Sequence, residues 1–349
     1  MTSDEVGTAD MGREVFHGPY PGAGRCVMRR LSVLLGGGLA VALAALVTVT
    51  AIPASAATDY PTKPVTYLIV FDPGGQSDRE ARRQQPHLER ILKQKVLVDY
   101  KVGGGGALGW RELTRSRPDG YLIGGFNIPH IILQPLQQEV GYKTEQIVPV
   151  AIFQRTPLAL IVQADSPFKT AKDLIEYAKK NPDVLTMGGT GPFSNHHMAT
   201  LRFQKLAGIK LTYVPFTGSA PMMMAVLGGH VSGTFANSDD LLRFKDSIRV
   251  LGFATEERFP DFPDTLTFKE LGLDIVLATD RGVAVPPGTP EPVIQRLEAA
   301  FLEVARNPEI QAEMKKQGFV PVAMGHKESK AYIEKMTAIF KELAADLKK

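Results

Sequence analysis

Short apolar runs and charged, helix-like stretches take turns along this chain from Val65 onward. The run VTYLIV (65–70) leads into a helical pattern near residues 77–95, then KVLVDYKV (95–102), a short helix after the glycines at 103–106, and YLIGGF (121–126). A second series opens at TPLALIVQ (156–163), with a helix over 170–180 that stops before Asn181-Pro182. It continues through VLTMGG, a helix over 194–207, LTYVPF, a helix over 219–227, VSGTFAN and IRVLGFA. After RGVAVPPGTP, residues 290–349 read as mostly helical. Strands alternating with helices predict an α/β fold with largely parallel strands. The two series predict two lobes, each a sheet flanked by helices. One is expected over 57–156 plus 280–349 and the other over 157–279, with crossings near 154–158 and 279–283 and the tail returning to the first lobe.

The most specific local pattern is FDPGGQSDREAR, residues 71–82. An apolar strand stops at Pro-Gly-Gly, and a helix begins at once. Ser77 and Glu80 have capping-box spacing, and Gly74 and Gly75 let a backbone come close to whatever lies ahead. The first turn of a helix carries unpaired N–H groups and about half a positive charge, which suits a carboxylate or phosphate. MGGTGPFSNHHM (187–198) repeats the arrangement in the second series, with Ser194 as the capping residue. Two such starts facing one cleft would clamp an anion. An ordinary strand-to-helix turn is the plain alternative for either one alone.

Other motifs carry less. Gly104-x-Gly106-x-x-Gly109 has dinucleotide-fingerprint spacing, but the next strand ends at Asn127 where an acid is needed to hold a ribose, so no cofactor is expected. His196 and His197 are adjacent and would point about 100° apart on a helix, so no metal site is expected. TGSAP (217–221) reads as a helix cap at Ser219 rather than a nucleophile elbow, and Met222–Met224 reads as core. Asp239 and Asp240 read as solvated loop acids. No nucleophile, base and oxyanion hole assemble, and no catalytic residue is assigned.

The amino terminus sets the compartment. Met28-Arg29-Arg30, the apolar LSVLLGGGLAVALAALVTVTAI and Ala54-Ser55-Ala56 form the three parts of a signal peptide, with a retained anchor as the alternative. Met28 is an alternative translation start. The single cysteine, Cys26, precedes this segment, so the mature chain is expected to enter the periplasm free of disulfides. A formal charge of +3 on 349 residues, with 44% hydrophobic and 22% charged, describes a folded protein with no nucleic-acid partner.

Taken together, YPTKPVTYLIVFDPGGQSDREAR, RPDGYLIGG, GGTGPFSNHH, VPFTGSAPMMMAVLGGHV and VAVPPGTPEPV resemble the solute-binding receptors of tripartite tricarboxylate transporters, in the same order over nearly all of residues 60–349. The resemblance implies a two-lobed periplasmic binding protein, a clamshell without catalytic residues that closes on a small carboxylate and delivers it to large and small membrane subunits. A monomer is expected. It implies a first binding loop over Phe71, Asp72, Gly74, Gly75, Gln76, Ser77 and Asp78, and a second over Thr190, Gly191, Phe193, Ser194, Asn195 and His196. Phe216 and Thr217 line the second lobe, and Asn127, Asp239 and Arg281 complete the candidate set. Asp72 stands where the family has a small or apolar residue, and Thr217 where it commonly has lysine. Both departures argue against a highly charged tricarboxylate; Arg79, Arg281, Asp239 and the two histidines suit a ligand with acceptor and donor groups. An exported hydrolase or transferase using Ser194 or Asp239 with His196, and a ligand-presenting sensory module, remain the alternatives.

Overall fold

The computed structural model describes residues 59–347. The expected signal peptide, its cleavage site, Cys26 and the alternative start at Met28 lie outside the described residues.

Strand β1 (Val65–Ile69) is buried along nearly all its length, as a continuous apolar run requires of a strand covered on both faces. Helix α1 (Gln76–Leu92) crosses over to β2 (Val96–Tyr100), and α2 (Ala107–Arg115) leads to β3 (Leu122–Ile128). Both outer strands pair with β1 in parallel. Helix α3 (His130–Gln137) follows, then the long strand β4 (Val148–Gln163). The next stretch holds α4 (Ala171–Lys180), β5 (Thr186–Gly189), α5 (Asn195–Ala207), β6 (Thr212–Pro215), α6 (Ser219–Leu227), β7 (Gly233–Asn237), α7 (Ser238–Arg243) and β8 (Ile248–Phe253). Strand β9 (Ala278–Val285) precedes α8 (Glu291–Arg306), α9 (Pro308–Lys316), β10 (Val320–Met324) and α10 (His326–Leu347).

The predicted parallel strands occupy the two flanks, β2-β1-β3 and β7-β5-β6. The middle is antiparallel. Strand β4 pairs with β9 from Val148↔Val285 to Pro157↔Ala278, and further along with β7 and β8. One strand therefore runs through both groups, and β9 runs back beside its first half. The chain has to pass between the groups in opposite directions, so the pairing there is antiparallel. The tail carries a strand the sequence reading did not include: β10 pairs with β4 at Val320↔Arg155.

Helices cover the sheet with large buried side chains. Trp110 of α2 is fully buried and donates its indole N–H to the Gly125 carbonyl at 2.9 Å. Tyr67 meets Phe301 of α8 edge-on, with ring centres 6.0 Å apart. Phe203, Phe235 and Phe268 form the matching cluster around β7. Met222 and Met223 belong to the core, as read from sequence, while Met224 is exposed. Among the described residues no helix is long and apolar enough to cross a membrane.

Candidate ligand-binding site

Five strands are each followed within a few residues by a helix start, and residues at all five starts line one cavity. The pairs are β1 with α1, β3 with α3, β5 with α5, β6 with α6, and β7 with α7. Ligands of open α/β sheets gather at the carboxyl ends of strands for this reason. A small cavity lies where the starts converge. Gln76 and Ser77 of α1, His130 of α3, His196 of α5, Ser219 of α6 and Asn237 before α7 line it, together with Phe71, Asn127, Thr190 and Arg281. At about 10 Å³ it admits one water-sized sphere.

The first start is built differently from its sequence pattern. Gly75, not Ser77, is the N-cap, in extended conformation and without a side-chain cap. Glu80 does not reach back to a cap, because Arg83 and Gln84 Nε2 donate to it. Asp78 does that work: its Oδ2 accepts from the Gly74 N–H at 2.7 Å, and its Oδ1 accepts from the Tyr100 hydroxyl and from Arg82. Burial pushes the Asp78 carboxyl up, but Tyr100, the Gly74 N–H and Arg82 outweigh it and hold the pKa below the usual value. The Gln76 N–H donates to Ser219 Oγ at 3.1 Å, tying α1 to the start of α6. At the second start Ser194 caps α5 as predicted, accepting from the His197 N–H at 3.2 Å.

The cavity is polar, buried and incompletely paired. Gln76 Oε1, His130 Nδ1, His196 Nε2, Arg281 Nε and both terminal atoms of Asn237 have no partner among the described residues. Burial lowers the His196 pKa to about 3, with Arg281 adding to the effect. It lowers that of His130 as well, with His196 and Arg281 contributing. Both rings are therefore neutral at pH 7. Burial brings Arg281 down to about 10, which leaves it charged. A roomier groove of about 490 Å³ lies elsewhere, between β4, α8 and α10, but none of its lining side chains is a buried polar group without a partner. Chemistry, not volume, points to the smaller space.

Residues 80–347 match the family described as "Tripartite tricarboxylate transporter family receptor". The chain belongs to this family. Among curated relatives, the "UPF0065 protein in gbd 5'region" of Cupriavidus necator is 30% identical, over 88% of this chain and 98% of its own. "Protein BugT" of Bordetella pertussis is 28% identical, over 85% of this chain and 94% of its own. Among solved structures, the periplasmic binding protein BugD is similar at 26% identity and TM-score 0.78, over 82% of this chain and 98% of that one. The R. palustris protein Rpa4515 with adipate is similar to the same extent, at 26% identity, TM-score 0.78 and the same coverage. The receptor thus has the fold of periplasmic binding proteins and is a solute-binding protein.

In the receptor, seven of the candidate residues line the cavity: Phe71, Gln76, Ser77, Asn127, Thr190, His196 and Arg281. Gly74 and Gly75 form the turn before α1, and Asp78 braces it. Asp72 accepts from the Thr217 hydroxyl, so these two lie together beside the cavity and not in its wall. The Gly191 carbonyl accepts from the Tyr213 hydroxyl at 2.7 Å, and the Phe193 N–H donates to His197 Nδ1 at 3.1 Å. Ser194 is fully buried against Tyr213, and Asn195 donates to Thr279 Oγ1 at 3.1 Å. Phe216 is half-buried against the core around Met222. Asp239 and Asp240 are buried, contrary to the solvated loop expected, because β7 runs straight into α7. Asp239 accepts from Gln76 and Arg79, while burial and Asp239 push the Asp240 carboxyl up to about 8. His130, Ser219 and Asn237 also line the cavity and were not among the candidates read from sequence. Each follows a strand end at a helix start, which is the signal already used for Gln76 and His196.

Proposed function

We propose that this receptor binds a small organic acid between two lobes in the periplasm and presents it to the membrane subunits of a tripartite tricarboxylate-type transporter. The lobes would be residues 57–156 plus 280–349 and residues 157–279, meeting at the cavity. The observation that carries the reading is the convergence of helix starts and the buried, charged Arg281 on one cavity of unpaired polar atoms. Helix starts favour anions through their free N–H groups and dipoles, and burial away from bulk water strengthens both. The similarity to Rpa4515 with adipate, a dicarboxylate, supports the acid class. A non-enzymatic role fits the same geometry. Ser194 Oγ lies against Tyr213 and the His197 N–H, His196 bonds Thr190, and Asp239 is held by Gln76 and Arg79, so none of them forms a nucleophile–base pair.

Native mass spectrometry of receptor isolated from the periplasm, followed by calorimetric titration with straight-chain mono- and dicarboxylates, tests this. A retained or added acid should bind at one site per chain. If no small carboxylate binds at millimolar concentration, the organic-acid reading fails.

A further inference from the structure

We propose that the cavity selects organic acids carrying a neutral hydrogen-bond donor beside the carboxylate, a hydroxyl group above all, and that His130, Thr190 and His196 read that donor. The inference rests on the organic-acid reading above and narrows it. Thr190 Oγ1 lies 2.9 Å from His196 Nδ1 and 3.4 Å from His130 Nε2. Each ring thus has one nitrogen facing Thr190 and one, His130 Nδ1 or His196 Nε2, without a partner among the described residues. The rings are 1% and 2% exposed, and both line the cavity.

Counting protons decides what they offer. A neutral imidazole has one N–H and one bare nitrogen, and a threonine hydroxyl has one hydrogen. Thr190 can therefore satisfy the bare nitrogen of one ring only. The other ring must turn its N–H toward Thr190, and that ring presents a bare, accepting nitrogen to the cavity. Gln76 adds a second acceptor. Its Nε2 donates to Asp239 and Thr156, which leaves Oε1 as the unpaired atom.

A plain carboxylate can only accept. It would answer Arg281, the helix starts and any ring N–H turned to the cavity, but it brings no hydrogen for these two buried acceptors, and an unmet buried acceptor is costly. A hydroxyl supplies that hydrogen without adding charge. An ammonium would supply it too, but beside the Arg281 guanidinium, and the nearby Asp239 is already taken by Gln76 and Arg79. Because His130 and Thr190 come from the two proposed lobes, the donor would be read only when both close on it.

The test is calorimetry of the purified receptor with unsubstituted, hydroxy and amino versions of the same three-, four- and six-carbon acids. Within any skeleton that binds, the hydroxy acid should bind at least about tenfold tighter than the unsubstituted one, and tighter than the amino acid. Thr190→Val should bring the hydroxy and unsubstituted affinities to within roughly threefold of each other, while Thr190→Ser keeps the preference. A purely structural role for Thr190 would lower all affinities together and leave the ratio unmoved. Wild-type receptor that binds unsubstituted acids as well as hydroxy acids, or a ratio untouched by Thr190→Val, overturns the proposal and leaves the organic-acid reading standing. Binding of no acid at all overturns both.

Discussion

Arg281 brings a full positive charge to the cavity wall while its Nη1 donates to Thr156 Oγ1 at 3.0 Å. Arg281→Gln keeps a polar, though shorter, side chain and removes the charge. Losing one charge-assisted bond to a carboxylate should weaken binding roughly ten- to a hundredfold, with the fold retained; calorimetry with a bound acid reads this directly. Unchanged affinity would take Arg281 out of the site. The buried histidines make a separate prediction about stability. Burial lowers the pKa of His196 to about 3 and of His197 to about 4, and lowers that of His130 too. A histidine with a depressed folded pKa contributes stability that is fully present above about pH 6.5 and is lost as pH falls. Asp240 works the other way: its pKa of about 8 means that the folded state holds an extra proton below that pH. Below about pH 6.5 unfolding lets the three rings take up protons, while the Asp240 carboxyl gives one up. The three rings outweigh the one carboxyl, so stability should fall on acidification from about pH 6 to 5, measured by urea unfolding. A flat profile would mean that the rings are not held neutral.

At the scale of elements, the loop after β2 and the loop after β5 touch. Gly191 has φ +97°, and a Cβ there would sit 2.8 Å from Gly105 Cα. Gly191→Ala is strained by its own backbone and by this approach, and it should weaken ligand binding several-fold to about a hundredfold through a loss of about 1–3 kcal/mol. Circular dichroism should remain native while titration shows the loss. Affinity at the wild-type level would show that the loops need not meet. These loops also show what sequence could and could not give. The helix starts at α1, α5 and α6 were legible because a strand, glycines and a polar residue follow one another directly. The start at α3 was not, because Pro129 at its N-cap and Pro135 within its eight residues break its pattern. The start at α7 was read as a polar loop, since the burial of Asp239 and Asp240 depends on Arg79, 160 residues away from Asp239 in sequence. The four glycines at Gly103–Gly106 all have positive φ, the permissive backbone expected of a turn. Strand β10 was missed because its pairing with β4 joins residues far apart in the chain.

For the whole molecule, several side-chain contacts join the two proposed lobes. Gln76 and Arg79 reach Asp239, Thr217 reaches Asp72, and Ser238 Oγ donates to the Gly318 carbonyl at 2.5 Å. Strands β4 and β9 carry the chain between the lobes side by side, which suits a bend about the crossings near 154–158 and 279–283. A ligand shifts an open–closed balance only through contacts it makes with both sides, and the cavity supplies such walls in Gln76 and Arg281 on one side and Thr190 and His196 on the other. Adding a bound acid to stripped receptor should therefore reduce the radius of gyration in small-angle scattering. Asp239→Asn removes the charge that Arg79 holds, so the ligand-free variant should be more open than wild type, and saturating acid should bring both to the same closed value. Its affinity should drop, because binding then has to supply closure energy that the Asp239 contacts no longer contribute. Identical scattering curves for wild type with and without saturating acid, together with an unchanged curve for Asp239→Asn, would mean a rigid pocket. The ion pair between Arg79 and Asp239 would then be a structural contact and not part of a closing device.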